Sequence, residues 1–259
     1  MLDVIPPLTL VALRFSLTAL VLFAAVRITR APHVARRDWG LLALTGIAGF
    51  AVSIVTQFLG TKLTTAANGA LVTSAAPAFI VLFAALILHE PLTARRLLGL
   101  VLATLGVVVV INPTDLSSSL AGNLALLVAA VTWGLYSVLV RVAVRTYPPL
   151  TVSAYAVLAG SIATILFAPL ELAVTPLGPI TLPIVLGVLY LAFIATALAL
   201  YLWNRALHSL GASVTSMFFF AQPVVGALLG WFLLQEKLGI SFLAGGVLIL
   251  AAVGLTIRE

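Results

Sequence analysis

The sequence predicts an all-α, polytopic membrane protein: an inverted-topology repeat of five-helix units, with nine transmembrane helices in 259 residues. Three observations carry this. First, 63% of the residues are hydrophobic and only 8% are charged, against about 25% charged in an ordinary soluble domain. Such a chain could not cover its own surface in water. Second, apolar runs near 20 residues alternate with short polar breaks, as a ~30 Å hydrocarbon core requires at ~1.5 Å of helix rise per residue. The strict apolar/polar alternation of a membrane β-barrel is absent. Third, the chain repeats itself. Ala75–Leu92 reads AAPAFIVLFAALILHEPL, and 146 positions later Ala221–Leu238 reads AQPVVGALLGWFLLQEKL, with 6 of 18 aligned positions identical, Pro77/Pro223 and Glu90/Glu236 among them. Fixed-period self-similarity of this kind marks a duplicated unit.

The spans follow in order. Pro7–Ile28 carries Arg14, the one formal charge well inside a span. An intramembrane arginine is costly and often functional; it can take a substrate carboxylate or phosphate bidentately, snorkel to the interface, or pair with a backbone carbonyl. Trp39–Gly60 follows, with Gln57 near its end. Ala66–Leu88 opens ANGALVTSAAPA, in which Ala66, Ala70, Ser74 and Ala78 form a small-residue stripe that permits close backbone approach. Asn68, Thr73 and Ser74 add hydrogen-bonding groups there. Pro77 removes a helix hydrogen bond and can kink this span, for packing or to shape a cavity. Glu90 lies thirteen residues further, about 20 Å along the axis and thus at the membrane edge. Beside Pro91 it is expected to favour the N-terminus of the next helix; a gate or proton-coupling role is the alternative.

Ala94–Ile111 is the fourth span. Ala121–Val140, the fifth, places Trp133, Tyr136 and Ser137 on about one turn. Leu150–Leu170 is the sixth. Pro183–Trp203, the seventh, puts Tyr201 and Asn204 near each other at its end. Ala212–Leu234 carries Ser216, Phe218, Phe219, Phe220 and Gln222, together with Pro223 and the GxxxG pattern Gly226–Gly230. Ser241–Ile257 closes the set. The third and eighth spans therefore present unlike walls, one small and polar, the other aromatic. Such walls suit an amphipathic organic solute better than a bare ion. Candidate substrate-binding residues are Arg14, Gln57, Asn68, Thr73, Ser74, Trp133, Tyr136, Ser137, Tyr201, Asn204, Ser216, Phe219 and Gln222. For each aromatic, a position facing lipid or the core is the competing account.

With the loop after the first span on the cytoplasmic side, ten arginines lie inside and only Lys62 and Lys237 outside. That bias follows the positive-inside rule and puts the C-terminus in the cytoplasm of an inner (plasma) membrane protein. The net charge of +6 thereby reads as loop arginines, and no nucleic-acid partner is expected. Met1-Leu2-Asp3 lacks the basic n-region of a signal peptide. The second half holds five spans and the first four. The expectation is a first repeat over residues 1–113 lacking its first helix, and a second over residues 120–259. Five is odd, so the halves insert in opposite senses, a construction of secondary transporters.

NGALVTSAAPAFIVLFAALILHEPLTARRLLG and its copy VTSMFFFAQPVVGALLGWFLLQEKLGISFLAG, the span VTWGLYSVLVR, and LTLVALRFSLTALVLF with Arg14 together resemble the EamA-type family of the drug/metabolite transporter superfamily. The resemblance implies ten helices with both ends cytoplasmic, a central cavity between the halves, and export or import of amino acids and other small metabolites. The chain departs from that pattern in lacking the first helix, which in the family helps line the cavity.

Other chemistry is excluded. There is no cysteine, hence no disulfide, thiol nucleophile or thiolate metal site. GxxxxGK[ST] is missing, which argues against ATP-driven transport. His33, His89 and His208 are scattered, and no Asp lies inside a span. Proton-relaying carboxylates at membrane depth are missing too. No cofactor and no enzymatic activity are expected. The partners expected are a small-molecule solute and membrane lipid, with the chain a monomer or homodimer. The leading reading is a carrier, exporting small metabolites such as amino acids by alternating access. The alternatives are a non-transporting or regulatory membrane protein and, less favoured, an intramembrane enzyme.

Overall fold

The computed structural model describes residues 4–64, 75–111, 119–220 and 240–257. Among them the chain forms nine helical stretches and no strand. These are α1 Pro7–Ile28, α2 Arg36–Leu63, α3 Ala76–Leu88, α4 Ala94–Ile111, α5 Leu120–Ala143, α6 Pro149–Val174, α7 Leu182–Leu210, α8 Ala212–Met217 and α9 Ile240–Ile257. Five of them, α1, α2, α5, α6 and α7, are by length and composition apolar enough to cross a membrane. The fold is therefore all-α and polytopic.

Proline sets several helix starts. α1 and α6 open on Pro7 and Pro149, each preceded by a second proline in extended conformation. At the first helical position the missing N–H would have no partner anyway. Pro77 likewise sits in the first turn of α3, where it takes nothing from the ladder. Its repeat partner Pro223 lies outside the described residues, as do Glu236, Lys237 and Gly226–Gly230. The ends of α4 and α9 are offset by 146 residues, the repeat distance read from the sequence.

The chain divides into two compact units, Met1–Phe58 with Leu135–Ser209, and Leu59–Gly134 with Leu210–Glu259. Each draws on both halves of the sequence, and α2 and α5 contribute residues to both. In the first unit, α1 packs on α6 and α7, and α2 packs on α6. Its inner positions include Phe15, Phe50 and Tyr136, all but inaccessible. In the second, α4 packs along α9, and α3 along α8, around Val81, Ala103, Met217, Phe220, Ile249 and Ala252.

Large aliphatic side chains face outward, and the mostly apolar interior holds a set of buried polar side chains. Leu166 and Leu170 of α6 are 69% and 67% exposed, while Thr18, Ser153, Thr196 and Asn204 are buried. Against lipid the exposed aliphatic side chains lose nothing, and the buried hydroxyls are bonded.

Candidate functional site

Two helices of the first unit break their regular ladder. α2 widens into a π-helical turn over Ile47–Ile54, and α7 does so over Phe193–Leu198. The starts of these turns, Ile47 and Phe193, are again 146 residues apart. A π turn frees backbone carbonyls from their usual donors and often marks a functional place. Its recurrence at the repeat distance shows that the feature belongs to the duplicated unit.

Adjacent residues of α1 meet both turns. Arg14 meets the turn of α7: its Nε donates to the Thr196 hydroxyl, and one terminal nitrogen to the Ala195 carbonyl at 3.4 Å. Thr196 in turn donates to the Leu191 carbonyl at 2.6 Å. Thr18, one turn along α1, donates to the Ala192 carbonyl at 2.9 Å. Three carbonyls in and just before the π turn thus accept from an arginine and two hydroxyls. Phe15 meets the turn of α2, its ring centroid 5.1 Å from that of Phe50, which lies 5.1 Å from Tyr136 in an edge-on arrangement. The Arg14 guanidinium also lies 5.7 Å from the Phe15 ring centre. Among the described residues no carboxylate lies within ion-pair distance of Arg14. Among the described residues its charge is met by a carbonyl, a hydroxyl and the Phe15 ring, so a guanidinium with five N–H donors has capacity left for an anion.

Other candidates are drawn into helix cross-links. The Tyr136 hydroxyl donates to Asn204 Oδ1 at 3.0 Å, and Asn204 Nδ2 donates to Ser153 Oγ at 2.8 Å. All three residues are fully buried, so this chain ties α5, α7 and α6 together. Ser137 is buried beside them on α5. In the second unit, Trp133 and Phe219 come together with ring centroids 6.1 Å apart. Ser216 is buried and bonded to the Ser213 carbonyl at 2.7 Å. Gln57 on α2 and Tyr201 on α7 are half-buried. Asn68, Thr73, Ser74 and Gln222 lie outside the described residues.

Glu90 departs from expectation. The sequence places it at the start of α4, the next helix. The structure turns it instead to the start of α8, where it accepts from the N–H groups of Ala212 (3.2 Å) and Ser213 (3.3 Å) and from the Ser213 hydroxyl. Helix starts carry free N–H groups and a positive end, so a carboxylate suits them wherever it comes from in the chain. His89, left-handed at φ 56, turns the chain out of α3. Glu171, which the sequence reading does not single out, performs the same office for α1: it accepts from Leu8 N (3.0 Å), Thr9 N (2.7 Å) and Thr9 Oγ1 (2.9 Å). The available signal was a lone carboxylate near the end of an apolar span, as at Glu90.

Apolar helices with buried, bonded polar groups, interrupted at repeat-related places and carrying an arginine inside a span, are the build of a membrane carrier. Comparison with known proteins narrows this. The EamA-like transporter family profile matches residues 1–112 and again residues 120–258, and the chain belongs to that family. It is 29% identical over 218 residues to the "Uncharacterized transporter YyaM" of Bacillus subtilis (strain 168), covering 82% of this chain and 70% of that one. It is also 29% identical over 253 residues to an "Uncharacterized transporter" of Archaeoglobus fulgidus, covering 98% of this chain and 89% of the relative. A crystal structure of 24% sequence identity superposes with a TM-score of 0.83 over 98% of this chain and 89% of its own, a likeness of fold.

Proposed function

We propose that the protein is a secondary transporter of small organic metabolites, amino acids foremost, and that it exports them. It works by alternating access of two inverted repeats, residues 1–113 and 120–259, around a midplane site. The observation that carries this reading is Arg14: a guanidinium inside a membrane span, seated on the π turn of α7 and without a carboxylate partner among the described residues. A substrate carboxylate would complete its bonding. Membership of a transporter family supports the same conclusion. The π turns give α2 and α7 places to flex where the ladder is already broken. Gln57, Asn68, Thr73, Ser74, Tyr201 and Gln222 are proposed as further polar contacts. The protein would sit in the inner membrane with its C-terminus in the cytoplasm, as a monomer or homodimer.

A thermal-shift screen of the purified chain against amino acids, nucleosides and phosphorylated sugars tests the substrate class. The reading expects amino acids to raise the melting temperature, and Arg14→Lys, which keeps the charge but loses the planar fork, to abolish the shift. A shift confined to nucleosides, or an amino-acid shift unchanged in Arg14→Lys, would overturn it.

A further inference from the structure

An open groove runs along the outward face of the α1–α6 pair. It consists of two depressions of about 440 and 380 Å³ that share Phe23, Leu158 and Ile162 in their linings. One depression includes Ser16 and Ser161, whose hydroxyls lie 3.0 Å apart. The other reaches Trp39 and Tyr155. The walls are aliphatic and remain open to the outside, Leu20 at 69% and Ile162 at 54% exposure.

The Trp39 end is strongly basic. Positions 16, 20, 23 and 27 follow one face of α1 at helical spacing, so Arg27 continues the groove-lining row. Arg30 follows it, and Arg36 and Arg37 form the short turn that leads into Trp39. All four arginines are exposed. Between residues 27 and 39 they face a single carboxylate, Asp38, which lies 3.5 Å from Arg37 Nε and is also bonded to the Tyr147 hydroxyl. His33 Nδ1 lies 3.2 Å from the Tyr155 hydroxyl at the same end.

The dimensions match one leaflet of a bilayer. Ser16 to Arg27 is eleven residues, about 16 Å of helix rise, and half of a hydrocarbon core is about 15 Å. The groove is therefore apolar through acyl-chain depth, aromatic where the interface begins, and cationic where phosphates lie. We propose that it is a binding site for an anionic glycerophospholipid, with one acyl chain along α1 and α6 and the phosphate among Arg27, Arg30, Arg36 and Arg37. A zwitterionic lipid would fill the same groove but gain little from the rim, because its own ammonium offsets the phosphate.

Native mass spectrometry of the full chain in detergent, with equimolar dioleoyl phosphatidylglycerol and dioleoyl phosphatidylcholine, tests this. Phosphatidylglycerol should be retained at least about thirtyfold more than phosphatidylcholine. Combined Arg27→Ala and Arg36→Ala should lower phosphatidylglycerol retention about thirtyfold, at about 1 kcal/mol for each arginine, and leave phosphatidylcholine unchanged. Arg95→Ala, an exposed arginine of α4, should change neither. Ile162→Trp, which fills the groove, should lower retention of both lipids; Leu20→Trp repeats the block from α1 in case the first variant does not fold. Equal retention of the two lipids would overturn the proposal. So would equal losses from the Arg27/Arg36 and Arg95 substitutions, or full retention in the folded groove-filling variants.

Discussion

Gly46→Ala should break the packing of α2 on α6. A Cβ at Gly46 would stand 2.0 Å from the Ala156 carbonyl oxygen and 2.9 Å from Ala159 Cβ. Non-bonded heavy atoms settle at roughly 3.5–4 Å, so the two helices must part by more than about 1 Å. Neither neighbour is the free end of a flexible side chain, and the next contact along the seam is also close: a Cβ at Gly160 would stand 2.5 Å from Phe50 Cβ. Overpacking typically costs about 1–3 kcal/mol, and a clash with backbone belongs at the upper end. At about 2–4 °C per kcal/mol for a chain of this size, the melting temperature should fall by about 6–12 °C. Circular dichroism during heating of the detergent-purified chain reads this directly. Gly40→Ala, on the same helix with nothing within 4 Å of the added methyl, is the control. It should melt with the wild type or gain about 0.5–1 kcal/mol by removing backbone freedom. If Gly46→Ala melts with the wild type, or both variants fall together, the close approach of α2 and α6 is wrong.

Tyr136→Phe leaves Asn204 Oδ1 without the donor seen here; interhelical hydrogen bonds in membranes average about 0.6 kcal/mol, and a loss of that size is expected by thermal unfolding. Glu171→Ala should free the N–H groups of Leu8 and Thr9, costing about 1 kcal/mol as helix-cap losses do, with faster hydrogen exchange at the start of α1. Glu90→Ala should speed exchange at Ala212 and Ser213 more than in the first turn of α4, where, among the described residues, the carboxylate meets only the Arg96 side chain, at 3.7 Å; the reverse pattern would restore the local reading of that carboxylate. Thr196→Val removes the hydroxyl between Arg14 and the Leu191 carbonyl and should weaken transport while the helices stay folded by circular dichroism.

The helices were legible where composition changes sharply. α1 and α4 begin and end where the apolar runs do, because paired prolines or arginines bound them. α2, α6 and α7 run beyond their oily cores, to Arg36–Leu63, Pro149–Val174 and Leu182–Leu210; hydropathy follows the hydrocarbon layer, whereas a helix continues until something stops its ladder. The π turns at Ile47 and Phe193 leave hydropathy untouched and so leave no mark in the pattern, although the 146-residue repeat would have paired them once one was known. Arg14 stood out because a charge inside an apolar span is rare, but its seat on Thr196, 182 residues away, is a tertiary fact. The same holds for Glu90, whose local rule was sound and whose partner lay 122 residues off. Tyr136 and Asn204 read as candidate solute contacts because aromatic and amide groups serve both purposes; that they are bonded to each other at 3.0 Å is again a tertiary fact.

Radiolabelled amino-acid counterflow in proteoliposomes tests the transport reading most directly. Wild-type protein should give saturable exchange above protein-free vesicles, and folded Arg14→Lys should lose most of it. Exchange indistinguishable from protein-free vesicles across the amino acids, or undiminished in Arg14→Lys, would contradict it.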